Sequence, residues 1–160
     1  MNFSKKNHEH LATNKNEVSK TINWKNAIIA GVLGTILFDL AGLLLTGNWW
    51  DIPGLLGEKT GLGFAYGIGG HYGNGVLLAI LFAGIESSLW GPKWFRPILF
   101  VTAEMVALVW LFMLPLLGAG VAGIDASPIM PVITFLRHIA FAIPLIFLIS
   151  YNLKESPIKK

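Results

Sequence analysis

Four apolar runs constrain this chain more than any other feature of its sequence. They cover about 27–47, 62–86, 97–118 and 128–151. Each has roughly 20 residues or more, enough to cross a ~30 Å hydrocarbon layer as a helix rising 1.5 Å per residue. Packing all four inside a water-soluble domain would leave too little polar surface to cover them. The chain is 54% apolar and only 13% charged, about half the charged share of an ordinary soluble domain. The pattern predicts an all-α membrane protein with four transmembrane helices in an antiparallel bundle. It speaks against a soluble enzyme, a disordered chain and a nucleic-acid binder, since no stretch interleaves basic and aromatic residues as a nucleic-acid surface does. There is no cysteine, so disulfides, thiolate metal sites and cysteine nucleophiles are excluded.

Residues 1–25 are polar and read as a mobile tail, with a short helix expected near 16–26. His8 and His10 form an HxH pair within it, read as solvated. The membrane domain is expected over 26–152, and 153–160 form a second, basic tail. The first tail is too long and too acidic for a secretory leader, and the first apolar run lacks a cleavage site, so that run is expected to remain as an anchor. Lys5, Lys6, Lys15, Lys20 and Lys25 precede the first run, Lys93 and Arg96 separate the second from the third, and Lys154, Lys159 and Lys160 follow the fourth. With four spans these all fall on one side, which the positive-inside bias makes the cytoplasm. The expected location is a bacterial inner membrane with both termini cytoplasmic.

Local punctuation sharpens the borders. Pro97 and Pro128 suit first helical turns, Ser127 suits an N-cap, and Gly47, Gly91 and Gly118 stand near helix ends. Pro115 and Pro144 fall inside runs three and four and predict kinks. The aromatic stretch Asn48–Gly57 predicts a short interfacial helix in the first outer loop, with Trp49 and Trp50 at headgroup level and Trp24, Trp90 and Trp94 as an inner belt.

Ionisable residues inside the runs are the candidate functional groups, because charge in hydrocarbon is costly and faces the bundle interior. They are Asp39, His71, Glu104, Arg137 and His138. Counted from the outer ends of their runs, Asp39, His71 and His138 lie at one depth of ~10 Å. Glu104 is expected in the opposite, inner half, and Glu86 at the inner boundary in contact with solvent. Thr35, Asp39, Gly42 and Thr46 form one stripe of run one. Gly67, His71, Asn74 and Gly75 form another on run two, where Gly63/Gly67 and Gly69/Gly73 offer close approach. Thr134 lies one turn from His138.

Three readings of these groups compete. In the structural one, the histidines hydrogen-bond across helices and Asp39 pairs with Arg137. In the ligand-binding one, His71 and His138 hold a b-type haem, with Arg137 on a propionate and Asn74 nearby, or hold copper or zinc with Asp39 as an oxygen donor. In the third, Asp39 and Glu104 mark a polar path. Two lone histidines without an HxxxH or HExxH pattern weigh towards the structural reading. No Walker motif, GxSxG or dinucleotide fingerprint is present, and no catalytic residue is assigned.

The succession GVLGTILFDLAGLLL, DIPGLLGEKTG, HYGNGVLLAILFAGIE, GPKWFRPILFV, MLPLLGAG and RHIAFAIPL resembles a family of small four-helix bacterial integral membrane proteins known only as a domain of unknown function. The likeness covers about 27–150. It rests on Asp51 to Gly57, His71, Pro115 to Gly120 and His138. It implies fold and membrane placement but no activity. The tail, the paired tryptophans and Asn74 depart from it. The expected role is an accessory or scaffold membrane protein, not an enzyme. The alternatives are a haem- or metal-binding membrane protein and a small permease or channel subunit. Expected partners are the bilayer and a homo-oligomer or larger membrane complex.

Overall fold

A computed structural model describes residues 22–152. Residues 1–21 and 153–160, including the HxH pair and residues 16–21 of the expected tail helix, lie outside the described residues, and Trp24 and Lys25 of the expected tail belong to the first helix. Within them the protein is all-α, with no strand. Helix α1 runs Trp24–Thr46, α2 Asp51–Thr60 and α3 Gly63–Ile85, continued by a 3-10 turn over Glu86–Ser88. Helix α4 is the span Phe95–Leu116 and α5 the span Met130–Ser150. Four of these five, α2 excepted, are long and apolar enough to cross a membrane, the make-up of a multi-pass membrane protein.

Helix α1 starts where the Asn23 side chain accepts a hydrogen bond from the Asn26 backbone N–H (3.1 Å), satisfying one orphan donor of the first turn. It ends at Gly47, whose left-handed φ of 75° closes the helix. The interfacial helix begins three residues later and ends later than the sequence suggested. Asn48–Trp50 are taken up by the turn, Trp50 adopts a left-handed φ of 62°, and Asp51 opens the helix. Asp51 in the first turn and Lys59 in the last both suit the helix dipole. Ser127 does not cap α5. Its carbonyl accepts from the Met130 backbone N–H instead, and the helix start falls on Met130 and Pro131. Beside Pro115 and Pro144 the winding widens to π over Met105–Met113 and Ile146–Ser150, as it does where the i to i−4 ladder is interrupted.

Helix α1 sits at the centre, packed on α3 and α5; α4 packs on α5, and α2 on α3. The pairings are antiparallel. Along α1 and α3, Gly31 meets Val76 and Asp39 meets His71; along α1 and α5, Asn26 meets Leu148 and Gly42 meets Arg137. Glycine sets the closeness. A Cβ on Gly31 would stand 2.6 Å from the Val76 Cα, and one on Gly67 would run into the Pro53 carbonyl oxygen. The helix α2 is thereby laid directly on α3.

The interior divides in two. Towards the end that carries both described termini it is mainly apolar, filled by Ala27, Ala30, Ala79, Phe82, Phe100, Val101, Phe141, Ala142, Leu145 and Ile149, with Glu86 and Ser150 the buried polar residues there. Towards the α2 end it is polar.

A candidate functional site at the α2 end of the bundle

Asp39 is the centre of the polar half and is fully buried. The stripe through Thr35, Asp39 and Gly42 faces inwards on α1, as its helical spacing requires. Two adjacent residues of α3 reach the carboxylate. His71 Nε2 donates to Oδ1 at 2.9 Å, and the Tyr72 hydroxyl donates to Oδ2 at 3.3 Å. From α5 comes Arg137, 4% exposed. Its Nη2 lies 3.9 Å from Asp39 Oδ1, but its main partner is Asp51 at the start of α2. Nη1 donates to Oδ2 at 2.7 Å and Nη2 to Oδ1 at 2.8 Å, the bidentate fork that makes an Arg–carboxylate pair strong and directional. Room for the guanidinium exists because residue 42 is glycine; a Cβ there would lie 2.7 Å from Cζ. The guanidinium also lies over the Phe38 ring, 4.3 Å from its centroid.

Burial works to raise the pKa of Asp51. The Arg137 hydrogen bonds and charge outweigh it, helped by the Ile52 N–H and the nearby His71, and hold the carboxyl below its ordinary value. Charge-assisted bonding therefore beats desolvation at this half-buried acid.

A second pair adjoins the first. The Phe38 ring packs on both imidazoles, with centroids 5.5 Å from His71 and 5.2 Å from His138. His138 Nδ1 stands 2.7 Å from the Thr134 carbonyl. A carbonyl can only accept, so Nδ1 carries hydrogen. That turns Nε2 towards Glu104, 3.5 Å from Oε2. Trp110 Nε1 donates to the Thr134 hydroxyl at 2.8 Å, and that hydroxyl back-bonds to the Met130 carbonyl.

Several expectations change on this geometry. Of the three residues counted to one depth, Asp39 and His71 meet while His138 turns to Glu104, and the closer partner of Arg137 is Asp51, not Asp39. Glu104 is not in the opposite half; it meets His138 within the same polar region. The depth count set the two in opposite halves, but Glu104 and His138 both lie near the middle of their spans, Phe95–Leu116 and Met130–Ser150, where the side chains can meet. Glu86 is not solvated. It is 1% exposed and accepts from Arg96 Nη1 at 2.8 Å. Asn74 does not join the cluster and is exposed on the outer side of α3.

The ligand-binding reading also changes. A haem iron would need both imidazoles to aim a nitrogen at one point. Here His71 Nε2 is engaged by Asp39, the His138 nitrogens face Thr134 and Glu104, and Arg137 is committed to Asp51. Among the described residues no three of His, Asp and Glu stand close enough to hold a metal ion. Asp39, His71 and His138 each face a partner within the chain.

Asp51, Tyr72, Phe38 and Trp110 belong to the site and carried no assigned role in the sequence. Asp51 had a usable signal: it is the one acid of the aromatic loop stretch, and Arg137 is the one cation within a run.

Fold and site together define a class: a four-span, all-α multi-pass membrane protein with a buried cluster of charged and polar side chains towards the α2 end of the bundle. Comparison of the chain with family models, with curated proteins and with solved structures gives no match.

Proposed function

We propose that this protein is an accessory or scaffold subunit of the bacterial cytoplasmic membrane, both tails cytoplasmic, with no reaction of its own. The lysine distribution supports that orientation. The resemblance to small four-helix bacterial membrane proteins is part of the same reading. One observation carries the functional side: the buried charges answer one another. Arg137 forks onto Asp51 and neighbours Asp39, while Asp39 takes His71 and Tyr72. This network ties α1, α2, α3 and α5 into one register and engages both terminal nitrogens of Arg137, leaving only its buried Nε without a partner among the described residues.

The polar-path reading draws on a separate observation, the contact of Glu104 with His138 beside Phe38, together with the partial exposure of Asp51. Against it stands the apolar filling from Ala27 to Ile149, which separates the cluster from the other end of the bundle.

The test uses the full chain purified in mild detergent and reconstituted in vesicles. A colourless, metal-free protein is expected, with proton flux no greater than that of empty vesicles. In native membrane extracts it should migrate in an assembly larger than its own oligomer. A Soret band or bound metal lost in His71→Ala or His138→Ala would establish ligand binding instead. Flux abolished by Asp39→Asn would establish the path.

A further inference from the structure

Helix α3 carries a feature that internal packing does not explain. Of its glycines, Gly67 and Gly75 face inwards, where a Cβ would run into the Pro53 carbonyl oxygen and the Thr35 hydroxyl oxygen. Gly69 and Gly73 are different. A Cβ on either would meet nothing within 4 Å, and neither has a positive φ. Glycine inside a helix costs about 1 kcal/mol relative to alanine. Within the chain, these two glycines offset that cost with neither a close contact nor a turn. They lie four apart, the spacing that lets a second helix approach backbone to backbone.

Asn74 stands beside them. It is exposed near the middle of the span Gly63–Ser88, and its amide has no hydrogen-bond partner among the described residues. An amide facing hydrocarbon without a partner is unfavourable. Tyr66, Leu77 and Leu81, all at least half exposed, continue the same face at helical spacing, and α3 is the least buried of the four spans.

We propose that this face of α3 is the interface with a second copy of the chain, docked about a two-fold axis along the membrane normal. Asn74 then lies against the partner's Asn74. The occupant follows from the chemistry of the amide, which is donor and acceptor at once and so complements itself. A two-fold contact places the same residue on both sides of the axis. Gly69 and Gly73 bring the two backbones close enough for a side chain as short as asparagine to bridge them. Parallel docking is what a shared membrane orientation gives.

The chain lacks cysteine, so single cysteines report without background. The full chain carrying Gly73→Cys, oxidised in its own membrane, should form a disulfide-linked dimer. Leu108→Cys and Leu136→Cys, on exposed faces of α4 and α5, should not. Asn74→Leu, at an exposed position whose side chain makes no hydrogen bond among the described residues, should leave folding intact. It should move the half-dimer point, read by energy transfer in vesicles, to an about three- to tenfold higher protein-to-lipid ratio. The proposal is overturned by a chain that stays monomeric at every ratio, by cross-linking from the control positions at equal yield, by capture of a different protein at residue 73, or by a half-dimer point indifferent to Asn74→Leu.

Discussion

Arg137 and Asp51 form the most directional pair of the site, a buried guanidinium forked onto a partly exposed carboxylate. The Asp51 carboxyl titrates lower in the folded chain than its ordinary value of 3.8. Between those two values the folded state binds fewer protons than the unfolded one, so stability is lost as pH falls through that window and is fully present above it. Asp51→Asn removes this dependence. The gap in unfolding midpoint between the native chain and Asp51→Asn should be wide at about pH 6 and narrow as pH falls below 3.8; a gap constant with pH would show that the pair with Arg137 contributes nothing. At this scale the sequence was informative for a simple reason. Asp39, His71 and Arg137 stand out in apolar runs, and charge in hydrocarbon has to turn inwards. It was silent on Tyr72 and Phe38, whose residue types are ordinary in a span.

Among the elements, α2 depends most on its neighbour. Nothing in DIPGLLGEKT says whether the segment floats at an interface or packs on the bundle. The answer lies in Gly57 and Gly67, whose missing side chains let α2 and α3 touch. Gly67→Ala should therefore cost about 1–3 kcal/mol by overpacking against Pro53. Gly69→Ala, facing open space two residues away, should be neutral or stabilise the subunit by up to about 1 kcal/mol. Unfolding midpoints in one detergent decide this, and equal losses at the two positions would contradict the packing described. The pair also shows why Asn74 could not be placed from sequence. Glycines occupy both faces of α3, so periodicity does not say which face is covered. The depth of Glu104 was hidden for another reason: it lies near the middle of its span, where a residue count cannot assign a half.

At the scale of the molecule, run length and the placement of lysines were enough for an all-α, four-span bundle, because the bilayer leaves few alternatives. The division of the interior was not legible in the same way. It arises when antiparallel helices bring Asp39, His71 and Arg137 to one end and Ala27, Phe82 and Leu145 to the other. The functional account rests on the polar end being a clasp, with Arg137 forked onto Asp51. A double-mutant cycle over Arg137→Gln and Asp51→Asn tests that most directly, by reversible unfolding of the purified chain. The expected result is a coupling of about 1–3 kcal/mol, the double variant losing less than its two singles together. Strictly additive losses would mean that Arg137 and Asp51 do not act on each other, and the clasp would be contradicted.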